Sequence, residues 1–390
     1  MKHINIFYIS SSSFPSRRAN AVHVMNMCKA LNNLNYRVTL FIRSEGEHCI
    51  NFISDNYEIN PKLTNIIETM PLLKRGTELF IALKALIRYL SLNTSEKNSI
   101  LIISRNLFAA FFLSLFHKQK LIYETHILET GTIRKLIQKI LLKKNNIKIV
   151  VISQALKKIL LSNYNLNNSN IKVYHDAAFD GGSPLTHDVK IIKRKNFFSN
   201  FKKDSNFSYY VGYFGHLYPG RGIEIIQKLA EKKSDILFLV FGGQDEDILK
   251  YKKANKLSNL KFMGHLPSKD VKFAMSIMDI LLMPYQKSVS VSLKSVNTAS
   301  WMSPIKMFEY MSVGTPIISS DLEVLREVLV DRHNSLLVKP EDVNEWLIAL
   351  NLLTKDKNLA KRLGSNAYKD FVEKYTWEIR AKKMILDITN

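Results

Sequence analysis

Short apolar runs alternate with longer stretches of helical periodicity along most of the chain. The apolar runs predict strands at Ile4–Ile9, Arg37–Ile42, Ile100–Ser104, Lys120–Tyr123, Ile147–Ile152 and Ile171–Tyr174. Apolar residues recurring every three or four positions predict helices between them, over Ala21–Leu34, Leu72–Leu90, Leu107–Phe116, Ile133–Lys143 and Gln154–Asn163. A second series has strands at Tyr209–Phe214, Ile236–Phe241, Leu260–Met263, Ile280–Met283, Pro316–Ser319 and Ser335–Val338. Its helices are expected over Ile223–Glu231, Glu246–Lys256, Val271–Ser276, Ile305–Met311, Leu322–Leu329 and Val343–Leu352, with a closing helical stretch at Lys361–Ile388. Strand–helix alternation of this kind predicts parallel sheets covered by helices, an α/β class. His187–Asn206 is rich in Lys and Asn, follows neither period, and reads as a linker.

Composition adds limits. A chain of 390 residues is comfortable for two domains. Hydrophobic content of 46% and charged content of 23% are those of a folded globular protein. The two cysteines, Cys28 and Cys49, match no metal or redox spacing and fit a reducing cytoplasm. Cys28 falls within a helical pattern and is expected in the core. No apolar run is long enough to span a membrane; the best, Leu107–Phe116, is too short. Met1–Ile9 reads as a first strand rather than a leader.

One run carries the strongest chemical signal: SPIKMFEYMSVGTPIISSD, Ser303–Asp321. Ser303 suits a helix N-cap and Pro304 the first helical position. Lys306 then falls at the positive end of the helix dipole, where a cation is disfavoured unless an anion docks there. Glu309 lies about one turn deeper, near enough to share a ligand with Lys306. Its carboxylate could accept both vicinal hydroxyls of a ribose. Gly314 can end the helix. From the run alone, a capped helix with solvated Lys306 and Glu309 remains open.

A second element precedes it. Strand Tyr209–Phe214 runs into GHLYPGRGIE, Gly215–Glu224, where Gly215, Gly220 and Gly222 let backbone approach a ligand. Arg221 adds a fork-shaped cation suited to phosphate. Further permissive turns close later strands at Phe241–Gly243, Phe262–His265 and Asp279–Pro284.

Taken in order, Gly212–Gly222, Phe241–Gly243, Phe262–Gly264, Asp279–Pro284 and Ser303–Asp321 resemble the donor domain of a GT-B glycosyltransferase of the retaining family 4 type. The N-terminal half resembles the same family through Pro15–Leu31, Tyr123–His126, Val151–Ser153 and Asp176–Asp180. The resemblance implies two Rossmann-like doubly wound domains facing a central cleft. Residues 1–186 would form the acceptor domain, 187–206 the linker and 207–373 the nucleotide-sugar donor domain. A C-terminal helix of about 374–390 would return to the first domain. It implies that Glu309 binds the donor ribose and that Ser303, Pro304, Ile305 and Lys306 hold the diphosphate with Arg221. Gly215, His216, Gly243, Gly264 and His265 would complete the donor site. His126 would meet the donor sugar, and Ser13, Arg18, Asn20 and His23 would lie on the acceptor side.

The chain departs from the family at three places. Trp301 stands where a first glutamate often precedes Glu309. His216 stands where an arginine is common, and Ser10–Ser13 replace a glycine-rich loop.

Net charge of +22 directs attention to anionic partners. Gly131–Lys148 holds Arg134, Lys135, Lys139, Lys143, Lys144 and Lys148 and no acid, with Ile133, Leu136, Ile137, Ile140 and Leu141 at helical spacing. The apolar stripe suits a core-facing helix, and the basic exterior suits an anionic membrane surface. No nucleic-acid motif appears, and only Phe197, Phe198 and Phe201 interleave aromatics with basic residues.

The expected activity is transfer of a hexosyl group from a UDP- or GDP-sugar to a glycan or lipid-linked hydroxyl. Neither metal nor further cofactor is expected, and the place of action would be the cytoplasm or the inner membrane face. A nucleotide-sugar isomerase and a non-catalytic scaffold on the same fold are the alternatives.

Overall fold

The computed structural model describes residues 4–16, 18–46, 49–70, 76–166, 170–198, 207–289 and 297–389. Residues 72–75 of one expected helix, and 199–206 of the expected linker including Phe201, lie outside the described residues. The chain divides into two compact units, Met1–Asp176 with Trp377–Asn390, and Ala177–Thr376.

The N-terminal unit is built on strands β1 (Asn5–Phe14), β2 (Arg37–Ser44), β3 (Thr64–Thr69), β4 (Ile100–Ser104), β5 (Leu121–Thr125), β6 (Ile147–Val151) and β7 (Ile171–Val173). Its helices are α1 (Ala19–Asn33), α2 (Cys49–Asn56), α3 (Thr77–Leu90), α4 (Thr94–Ser99), α5 (Leu107–Phe116), α6 (Thr132–Lys143) and α7 (Gln154–Tyr164). The strands pair in the order β3-β2-β1-β4-β5-β6-β7, all parallel. Cys28 is fully buried in α1, as its position in the helical pattern predicts.

The C-terminal unit begins with α8 (His187–Phe197) and continues β8 (Tyr209–Phe214), α9 (Ile223–Lys232), β9 (Ile236–Phe241), α10 (Asp245–Ala254), β10 (Leu260–Gly264), α11 (Ser268–Ser276), β11 (Ile280–Met283), α12 (Ile305–Ser312), β12 (Ile317–Ser320), β13 (Leu336–Val338), α13 (Val343–Lys355) and α14 (Lys357–Lys374). Helix α15 (Trp377–Thr389) belongs to the N-terminal unit. The second sheet is also parallel, in the order β10-β9-β8-β11-β12-β13. Strand β9 is apolar at every position and buried at every position, as a central parallel strand covered on both faces must be. In each sheet the order reverses beside the first strand, between β1 and β4 and between β8 and β11. Such a reversal opens a crevice at the carboxyl ends of the strands.

Four expectations are corrected. The unit boundary falls at Asp176/Ala177, not at 186. His187–Phe197 is not linker but helix α8, held by its charged residues. Arg194 donates to the Ile277 carbonyl and the Asp279 carboxylate, and Lys190 donates to the Met278 carbonyl. Burial lowers the Lys190 ammonium to about 8. Strand β3 was not expected; its sequence, TNIIET, is polar at both ends and only half-buried, so it lacks a clean strand period. Leu322–Leu329 forms a single 3-10 turn at Leu325–Glu327 instead of a helix.

Candidate functional site

In the C-terminal unit, the crevice at β8 and β11 gathers the residues singled out by the strand-end turns. Two of its glycines are sterically required. A Cβ at Gly220 (φ +83°) would lie 1.8 Å from the Ser288 carbonyl oxygen, and one at Gly222 (φ +79°) would lie 1.9 Å from that of Pro284. The loop is therefore pressed onto the turn after β11, and this aims Arg221. Arg221 Nη1 donates to the Tyr285 hydroxyl at 2.9 Å, with its guanidinium over the same ring.

Lys306 sits in the first turn of α12. Its ammonium is 4.1 Å from the centre of the Tyr213 ring and 4.7 Å from that of Tyr285. No carboxylate lies within ion-pairing distance of it among the described residues. Burial and the nearby Arg221 hold its pKa well below the usual lysine range, against the opposing pull of Glu309. Two cations thus share the Tyr285 ring, an arrangement that favours a bound anion. Glu309, one turn on, is half-buried; its carbonyl accepts from the Ser312 hydroxyl, and its carboxylate makes no hydrogen bond or ion pair among the described residues. Burial raises its carboxyl, partly offset by Lys272 and Lys306.

The cap of α12 differs from expectation. Pro304 occupies the N-cap, its carbonyl accepting from Met307 N–H at 2.9 Å, and buried Ser303 stands one residue earlier. Ile305 is buried as the first helical residue. Gly314 lies just past the helix in the left-handed region (φ +61°), as a terminating glycine should. His216 is stacked on Tyr218 at 4.8 Å, and burial, then Arg221 and Lys306, lower it to about 4. It therefore contributes a neutral ring at neutral pH. Gly215 lies against the Lys306 ammonium, and Gly242 N–H donates to the Gly264 carbonyl at 2.7 Å, tying the ends of β9 and β10. Gly243 (φ +88°) packs on Leu217, and His265 is exposed after β10. Trp301 is buried, so the position of the missing glutamate is filled by an aromatic side chain.

The N-terminal unit holds a different cluster. Glu124, at the end of β5, is buried, and one of its oxygens serves three groups. Arg380 of α15 donates to Oε1 at 2.9 Å, His126 Nε2 lies at 2.7 Å and His23 Nε2 at 2.9 Å. His23 Nδ1 is 2.8 Å from Asp176. Burial would raise the Glu124 carboxyl, but Arg380 and His23 outweigh it and hold it well below the usual range.

His23, expected on the acceptor side, is 1% exposed and engaged in this network. His126 is held at both nitrogens, since Nδ1 lies 3.3 Å from Arg105 Nη2. Burial and Arg105 lower it to about 4 despite Glu124, so it is a neutral ring with Nε2–H donated to the carboxylate. Its expected contact with a sugar would have to displace Arg105. Arg18 and Asn20 are exposed at the start of α1, and Ser13 is half-buried near the end of β1. His23, Glu124 and His126 place three ligand-capable atoms within 4.8 Å of one another. Arg380 already shares the Glu124 oxygen, so a divalent cation there would sit beside a guanidinium, a poor fit.

Sequence reasoning missed Tyr285, Tyr213, Glu124 and Arg380. Tyr285 directly follows Asp279–Pro284, a signal that was available. Arg380 gave none, because 256 positions separate it from its partner.

Residues 192–370, within the C-terminal unit, match the family model of glycosyl transferases group 1. The C-terminal unit is a group 1 glycosyl transferase domain. The whole chain has the GT-B fold. It superposes on the structure of HepE from Anabaena in complex with UDP with a TM-score of 0.74, at 15% identity and over 99% of both chains. A structure of HepE with UDP-glucose gives 0.70 at 14% identity, over 99% of this chain and 100% of that one. An uncharacterized glycosyltransferase of Methanocaldococcus jannaschii is 26% identical over 92% of this chain and 90% of its own length. The phosphatidyl-myo-inositol mannosyltransferase of Mycolicibacterium smegmatis is 26% identical over a shorter stretch, 41% of this chain and 39% of that protein. The stretch that defines the group 1 domain here thus contains the Arg221, Lys306 and Glu309 constellation.

Proposed function

We propose that this protein transfers a hexosyl group from a uridine diphosphate sugar to a hydroxyl of a glycan or lipid-linked acceptor. The observation that carries this is the placing of a half-buried carboxylate, Glu309, with no hydrogen-bond partner among the described residues, one turn from a tyrosine-caged cation, Lys306. The diphosphate would lie between Lys306 and Arg221, and the ribose hydroxyls would donate to Glu309. As the bond between sugar and diphosphate breaks, negative charge grows on the departing oxygen. Both cations are half-buried and already oriented by Tyr213 and Tyr285, so little reorganisation accompanies the step. The protein's own cations would supply the neutralisation, with no metal or further cofactor assigned a part. Retention at the anomeric carbon follows from the resemblance to retaining family 4 enzymes.

UDP is favoured over GDP because HepE, which shares the fold, is seen with UDP and UDP-glucose. A lipid-linked acceptor would place the reaction at a membrane. Among the described residues no helix is long and apolar enough to cross one. We place the donor chemistry in the cytoplasm, in keeping with the unpaired buried Cys28 and Cys49.

Thermal-shift titration with UDP, GDP and ADP tests the reading. UDP should stabilise the protein by mass action and the other two should not. Stabilisation by GDP alone would overturn the base, and stabilisation by none would leave a scaffold. Incubation with UDP-glucose and no acceptor should leave the sugar unconverted; a new nucleotide sugar would show an isomerase. Glu309→Ala should weaken UDP binding roughly 10- to 100-fold in calorimetry, the loss of charge-assisted hydrogen bonds. Unchanged affinity would remove the ribose assignment.

A further inference from the structure

Helices α3, α5 and α6 pack side by side over the N-terminal sheet, and their outer surface is unusually apolar. Ile133 of α6 is 71% exposed and Ile87 of α3 is 66% exposed; Leu90, Leu115, Phe116 and Leu136 are exposed on the same three helices. The α6 stripe thus departs from the core-facing expectation: Leu141 and Leu142 are buried, but the first two turns turn Ile133 and Leu136 outward. Exposed Lys135, Lys139 and Lys143 flank these two along one side of the helix, and exposed Arg88 lies on α3 beside Ile87. The acid on these helices, Glu78, and the nearby Glu129 and Glu96 are already engaged. Glu78 and Glu129 both pair with Arg134, and Glu96 caps its own helix.

We propose that this three-helix face docks on an anionic phospholipid membrane. Large apolar side chains would enter the headgroup boundary while the lysines, on flexible stems, meet phosphates around them. Basic residues near a negatively charged surface add about fivefold each to binding. A second copy of the chain is a poor occupant, because a two-fold interface would bring two copies of the same basic face together, and the one acid on these three helices, Glu78, already pairs with Arg134. A nucleic acid would leave Ile133 and Leu136 unsatisfied. The inference goes beyond the transfer reading and does not depend on it.

Vesicle co-sedimentation with the full chain tests it, using phosphatidylcholine vesicles with and without phosphatidylglycerol. Wild type should pellet with the anionic vesicles only, and added salt should weaken binding. Ile133→Asp with Leu136→Asp should reduce vesicle affinity at least tenfold, and Lys135→Gln with Lys139→Gln and Lys143→Gln should reduce it comparably. Ile348→Asp, at an equally exposed site in the other unit, should leave it unchanged. These positions are on the surface, so the melting temperature and UDP affinity should stay those of wild type. Lost vesicle binding and a lost donor site are then separate results. Wild type binding neither vesicle overturns the inference. So does a double aspartate variant that binds like wild type, which would mean simple polyanion adsorption, or one that dissolves a dimer found by ultracentrifugation.

Discussion

Lys306→Met is expected to lower kcat by about 10²–10³ while the melting temperature stays level or rises. The first half follows from the tyrosine cage. Rings at 4.1 and 4.7 Å hold the half-buried ammonium in place, so its field is screened less than in open solvent where the diphosphate departs. Removal of one such pre-placed group costs about 10²–10³ in rate where it has been measured. The second half follows from the sign of the pKa shift. Burial and Arg221 depress the lysine, so the folded state binds its proton less readily than the unfolded chain does. The charged lysine therefore opposes folding below its unfolded pKa, and methionine removes that opposition. A bound diphosphate should restore the proton. Calorimetry under mildly alkaline conditions, in buffers of different ionisation enthalpy, should show proton uptake with UDP in wild type and none in the variant. A variant that loses activity only in proportion to lost folding would make Lys306 structural.

Arg380→Met is expected to be the most destabilising single change in the N-terminal unit. It leaves Glu124 buried with its chief positive partner gone, a loss of about 3–5 kcal/mol. For a unit of this size that corresponds to roughly 10 °C in its melting transition. The pH dependence has a definite sign. Glu124 is held well below its usual range, so its contribution is present above the unfolded carboxylate value and fades as pH falls through the folded one. The difference between wild type and variant, followed by circular dichroism, should therefore be widest near neutrality and shrink toward acid. A difference that grows toward acid would show that Arg380 does not act through Glu124. UDP binding to the other unit should be retained where the variant is folded.

Much of the donor site was legible along the chain because its parts are close in sequence. Lys306 and Glu309 are three residues apart on one helix, and helical geometry alone puts them on one face. Arg221 follows a strand by a few glycine-rich positions, and strand β9 shows itself by six consecutive apolar residues. What was not legible came from partners chosen by topology. Tyr285 meets Arg221 across 64 positions, and His23 meets Asp176 across 153, because parallel crossovers bring strand ends together that are distant in the chain. The polar segment β3 is recruited to the sheet by pairing with β2, a tertiary decision that its own pattern does not announce.

The sequence by itself determined the two parallel α/β units, the glycines that press one loop onto another, and the cation and carboxylate of the proposed nucleotide site, since each depends on local period, steric freedom or spacing. Tertiary structure alone decided that Lys306 would be caged by two tyrosines, that His23 would be buried and His126 held at both nitrogens, and that Ile133 and Leu136 would face outward. Those outcomes depend on burial and on charges contributed by remote segments, and neither is encoded in the spacing of neighbours.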